Sequence, residues 1–183
     1  MKPISKTYPL ILSALFLALA YLLPFLTGQI PEIGSALCPM HIPVLLCGFL
    51  CGWQAGLTVG LIAPLFRSLT LGMPVLFPMA VCMSLELAAY GATAGFAHRL
   101  LPRKKPFIYC SLLIAMVVGR LVWGGAMYLC LGLSGSTFSP RAFLAGAVTG
   151  AVPGILLQIL FVPVLVMILD NPRVFPWKET PKS

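Results

Sequence analysis

The chain has 183 residues, 60% of them hydrophobic and only 9% charged, with a mean hydropathy of +1.01 and a net charge of +8. A soluble domain carries about a quarter charged residues, so this composition excludes one and describes an integral membrane protein with room for about six helices and no separate soluble domain. The basic residues stand at the ends of apolar runs rather than on one polar face, which excludes a nucleic-acid-binding reading and makes them markers of orientation in the bilayer.

Lys2 and Lys6 precede the first apolar run, residues 8–26. The run is long, ends in bulky residues and lacks a small-x-small cleavage site, so it reads as a retained first helix rather than a signal peptide. Ala14 and Ala18, with Ala20 nearby, leave a smooth stripe on it. Such a stripe lets another helix approach closely, whether inside the bundle or from a partner. The polar stretch Thr27 to Met40 follows, carrying Glu32, with His41 at its exit. It is longer than a helix connection needs, which suits either a gating loop or a passive surface loop.

Residues 41–53 and 55–71 read as two helices joined by a tight turn near Gly52. Pro43 leaves open whether the first of them is broken or oblique. Gly48, Gly52, Gly56 and Gly60 keep a four-residue spacing across the turn and are expected to line helix contacts. A fourth helix, 76–100, carries Glu86, Tyr90, Gly91 and Gly95, and ends in the cationic cluster Arg99, Arg103, Lys104 and Lys105. A fifth, 107–133, has Arg120 near its middle and Trp123 about a turn further on. After the Ser134 to Pro140 loop a sixth, 141–170, shows a second small-residue stripe: Ala142, Gly146, Gly150 and Gly154. The resulting expectation is one all-α membrane domain over 1–183, a bundle of six transmembrane helices. Its cations gather on one side, so the positive-inside rule puts both termini in the cytoplasm.

Three charges then lie inside apolar sequence. By helical rise, Arg67, Glu86 and Arg120 all fall in the outer half of the membrane. Charges are expensive there, and the default reading is a functional site. Glu86 can neutralise one arginine, leaving a surplus positive charge suited to a carboxylate, which arginine grips bidentately. Other readings stand beside it: Arg67 is also placed to snorkel to the outer interface, and Arg120 and Glu86 to form a structural pair. Tyr90, a turn below Glu86, suits a hydrogen-bonding role or the core. Five of the six cysteines lie in apolar runs and read as small hydrophobes; Cys38 and His41 make a lone CxxH, weak for a metal. No metal and no cofactor are expected.

The Ala14 and Ala18 stripe, the long first loop, and the segments HIPVLLCGFLCG and PLFRSLTLGMPVLFP together resemble the substrate-binding S component of an energy-coupling factor (ECF) vitamin transporter. The resemblance covers nearly the whole chain. It implies that the protein captures a vitamin from outside and delivers it by docking, through Ala14 and Ala18, on a transmembrane coupling (T) subunit driven by two ATP-binding cassette ATPases in a prokaryotic cytoplasmic membrane. The middle block is most similar to pantothenate-type members, with Arg67 or Arg120 taking the carboxylate and His41, Glu86, Tyr90 and Trp123 completing the site. Niacin, biotin or folate meet the charge argument equally. The chain has no GxxxxGK[ST] phosphate loop and no nucleophile–base pair, so an enzyme is not expected. A stand-alone secondary carrier for a small organic anion would show related halves, and none is evident. A structural membrane protein would tolerate alanine at the three charges.

Overall fold

The computed structural model describes residues 7–27, 37–102, 104–133 and 149–169, with Ser139 and Ala145. The gating reading of the first loop, with Glu32, the 134–138 segment, Ala142, Gly146, and the cations at Lys2, Lys6, Arg103, Arg173, Lys178 and Lys182 lie outside the described residues.

The described residues are helical throughout their length apart from short connections. Helix α1 spans Thr7–Leu22 and tightens into a 3₁₀ turn, Leu23–Thr27. Helix α2, His41–Cys51, carries Pro43 in its first turn, where the missing N–H would have no intrahelical partner, so it starts unbroken. Gly52 alone separates it from α3, Trp53–Leu71; its φ of 98° and ψ of 169° suit glycine. Gly52 is thus a turn residue, with open space where a Cβ would stand, rather than part of a packing stripe. Helix α3 ends on Gly72 in the left-handed region, whose N–H bonds the Ser68 carbonyl.

A π-helical turn, Leu76–Ala80, leads into α4, Val81–Leu100. Pro102 forces the residue before it into extended backbone, so α4 stops at Leu101. Helix α5 spans Lys105–Leu133. A 3₁₀ turn, Thr149–Ala151, precedes α6, Val152–Leu169; the rest of the expected helix 141–170, apart from Ala145, lies outside the described residues.

Among the described residues, four segments are long and apolar enough to cross a membrane: Thr7–Phe25, Leu76–Leu100, Lys105–Leu133 and Val152–Leu169. Helix α2 is apolar but shorter. Helix α3 has the length, with Gln54, Thr58, Arg67, Ser68 and Thr70 along it.

Helix α4 is the centre of the packing, against α3, α5 and α2. Without a difference in apolarity between lipid and helix, such contacts depend on close approach, and small residues supply it. A Cβ added at Gly48 or Gly56 would run into the Gly91 backbone, and one at Gly60 into Leu87. These contacts fix the register of α3 on α4: Gly56 faces Gly91 and Gly60 faces Leu87. Helix α1 packs on α2 and α3 through Leu12, Phe16 and Ala20. Ala14 and Ala18 stand on the exposed side of α1, outside that packing.

Candidate functional site

Three helices bring polar side chains together inside the apolar bundle. Arg120 Nη1 of α5 donates to Glu86 Oε1 of α4 at 2.9 Å, and His41 Nε2, at the start of α2, lies 3.5 Å from the same oxygen. The His41 ring meets Tyr90 edge-on, with centroids 5.0 Å apart. Arg120 Nη2 reaches Cys38 Sγ at 3.7 Å, so both members of the CxxH face this cluster. Burial raises the Cys38 thiol above its ordinary range, with the Arg120 guanidinium opposing it. His41, Glu86 and Tyr90 are almost wholly buried, and Arg120 is 14% exposed.

The local causes are visible in the sequence. Tyr90 is one helical turn beyond Glu86, so both share a face of α4. Gly119 of α5 leaves room for the Tyr90 ring, which a Cβ there would strike. The neighbouring Arg120 is thereby carried against α4 at the height of Glu86. On the same two helices, about one turn toward the Val81 end of α4 and the Leu133 end of α5, Cys82, Trp123, Ala126 and Met127 form a small apolar cluster. Trp123 belongs to that layer, beside the polar cluster.

Arg67 goes elsewhere. Extending the register of Gly56 on Gly91 and Gly60 on Leu87 puts Arg67 level with Ala80, about 9 Å from Glu86 toward the Val81 end of α4. There its Nη1 donates to the Tyr21 carbonyl at 2.8 Å and its guanidinium lies 5.0 Å from the Phe25 ring centroid. It is 4% exposed, so it does not snorkel into open solvent. It satisfies a carbonyl at the end of α1, where intrahelical donors run out. The sequence left open which arginine pairs with Glu86; it is Arg120.

The polar cluster is incompletely bonded. Among the described residues, His41 Nδ1 and Nε2, the Tyr90 hydroxyl and Arg120 Nε have no hydrogen-bond partner of good geometry, although the hydroxyl lies beside the Arg120 guanidinium. Two other buried hydroxyls are satisfied on their own helices: Ser84 donates to the Val81 carbonyl at 2.8 Å and Ser111 to that of Phe107 at 2.9 Å. Buried polar atoms left open call for a specific explanation. Arg120 Nε–H is a donor only, while the Tyr90 hydroxyl and the imidazole can donate or accept. A ligand with carbonyl or carboxylate oxygens would complete them.

A family model described as "ECF transporter, substrate-specific component" matches residues 9–169. The chain belongs to this family. No curated protein and no solved structure matches the chain. The all-helical fold, its apolar spans and this membership make the protein an integral membrane S component, a transport component rather than an enzyme.

One buried polar residue escaped the sequence reading. Gln158 of this S component is fully buried on α6, and neither amide atom has a hydrogen-bond partner among the described residues. The signal was present: Gln158 continues the four-residue spacing of Ala142, Gly146, Gly150 and Gly154 in an otherwise apolar run.

Proposed function

We propose that this S component binds a small carboxylate-bearing vitamin, of the pantothenate type, in the outer half of a six-crossing bundle whose termini are both cytoplasmic. The observation that carries the reading is the buried cluster of His41, Glu86, Tyr90 and Arg120 with four open hydrogen-bonding positions. In this reading the carboxylate is taken by Arg120 through its open Nε–H, with the Tyr90 hydroxyl and His41 receiving further polar groups. Two buried guanidiniums, Arg67 and Arg120, stand against one buried carboxylate, Glu86, among the described residues, which favours an anionic ligand. Trp123 closes the site one turn outward. Delivery follows by docking of the Ala14 and Ala18 face on the coupling subunit, with ATP hydrolysed by two partner ATPases in the prokaryotic cytoplasmic membrane.

The test is a thermal-shift screen of the purified protein in detergent against pantothenate, biotin, nicotinate, folate and thiamine. A ligand at a hundred times its Kd stabilises by about 2.7 kcal/mol. Stabilisation by a carboxylate vitamin, absent in Arg120→Ala, is the expected result. A folded sample that no member of the panel stabilises would overturn the reading, as would tight binding that Arg120→Ala leaves intact.

A further inference from the structure

Gln158 poses a separate problem from the charged cluster. It is the one fully buried amide side chain among the described residues, and it is placed where leucine or valine would cost nothing. An amide taken out of water without a hydrogen-bond partner destabilises the fold. Its neighbours on the same face, Gly154, Val162 and Val166, are all buried and small or apolar. None of them has a group that could satisfy it.

Its place in the bundle points to the polar cluster. Helix α6 packs on α2 and α5, the helices that bear His41 and Arg120. Val162 and Val166 share one continuous core with Val44 of α2, Ala115 and Met116 of α5, and Tyr90. In the six-crossing topology, on which this inference rests, α4 and α6 run in the same direction, and Val162, one turn from Gln158 on its face, belongs to the same core as Tyr90. The open amide is therefore on the face of α6 turned to the core that holds Tyr90.

We propose that Gln158 is a substrate-contacting residue of this site, and that the substrate is a small carboxylate also carrying an amide or ureido group. A primary amide presents a donor, Nε2–H, beside an acceptor, Oε1, and its natural complement is another amide offering a carbonyl beside an N–H. The ligand is then held at two points, with its carboxylate near Arg120 and its amide at Gln158. This narrows the carboxylates that charge alone would admit. Pantothenate, with an amide, and biotin, with a ureido ring, meet both demands; nicotinate meets only the first. A site built to bond a donor–acceptor pair rejects a ligand without one, because its own buried groups are then left open.

The experiment measures Kd for pantothenate, biotin and nicotinate by calorimetry on the intact wild-type protein and on Gln158→Leu, alongside the melting temperature of both without ligand. The expected result is that pantothenate or biotin binds the wild type more tightly than nicotinate, and that Gln158→Leu weakens that compound by at least about tenfold. Ligand-free Gln158→Leu should melt no lower than wild type, since it replaces an unbonded buried amide with an apolar side chain. Equal affinity in wild type and variant would overturn the role of Gln158 while leaving the vitamin-binding reading intact. Preference for nicotinate would overturn the amide class. A melting temperature clearly below wild type would make Gln158 a structural residue and sink the proposal. A wild type that binds none of the three, nor any other member of the vitamin panel, would fail the site reading itself, and this inference with it.

Discussion

Glu86 shares one oxygen between the Arg120 guanidinium at 2.9 Å and the His41 imidazole at 3.5 Å, in surroundings where neither charge has ready access to water. Breaking a buried pair from one side leaves the other charge uncompensated and costs about 3–5 kcal/mol, whereas removing both partners costs much less. Glu86→Gln and Arg120→Gln should therefore each lower the unfolding free energy by about that much, and the double variant should recover most of it. Thermal unfolding of the four proteins in detergent, without ligand, closes the cycle. Additive losses would show that the two groups act independently. That Glu86 and Arg120 stand inside the bundle was legible in the sequence, because charges inside apolar runs are conspicuous. Which arginine meets Glu86 was not. That depends on the register between helices, where Arg67 falls level with Ala80, and register follows from backbone contacts that no spacing encodes. Gln158 was missed for a simpler reason: an uncharged amide barely disturbs the hydropathy of a helix.

At the scale of elements, the bundle is set by where helices come close enough to exclude side chains. Gly91 on α4 meets Gly56 of α3 and is itself met by Gly48 of α2, so three helices converge on one glycine. Gly91→Ala should force α3 away and destabilise the protein by about 1–3 kcal/mol, and it should also loosen the site, since Tyr90 is the adjacent residue. Gly125 on α5 has open space where its Cβ would stand. Gly125→Ala should be neutral or slightly stabilising, because alanine is the better helix former by up to about 1 kcal/mol. Melting temperatures of the two variants make the comparison, and equal losses would refute the packing account. The four-residue glycine spacing was readable in the sequence, and three of its four members do line helix contacts. Gly52 keeps the spacing for a different reason, being the hinge between α2 and α3. A period alone cannot separate a packing glycine from one required by its backbone angles.

For the molecule as a whole, α1 divides into two faces with different work. Leu12, Phe16 and Ala20 bury its inner face, while Ala14 and Ala18 stand among the exposed apolar residues Ile11, Leu15 and Leu22. Among the described residues nothing requires alanine at 14 or 18, since lipid would accept larger side chains there. Small residues on a lipid-facing side are explained if a second protein approaches closely at that face, as the docking reading holds. Ala18→Trp separates the two demands. It should leave the melting temperature and vitamin affinity of the isolated protein unchanged, yet reduce ATP-driven uptake in proteoliposomes containing the coupling subunit and ATPases at least about tenfold, a loss of roughly 1.4 kcal/mol of docking energy. Ala20→Trp, at a position with no exposure, should instead impair folding before any partner is present. If Ala18→Trp transported as well as wild type, the exposed stripe would be a lipid-facing accident and docking would have to use another face. Unchanged binding with lost transport would tie the smooth side of α1 to the partner and leave capture of the vitamin to the polar cluster alone.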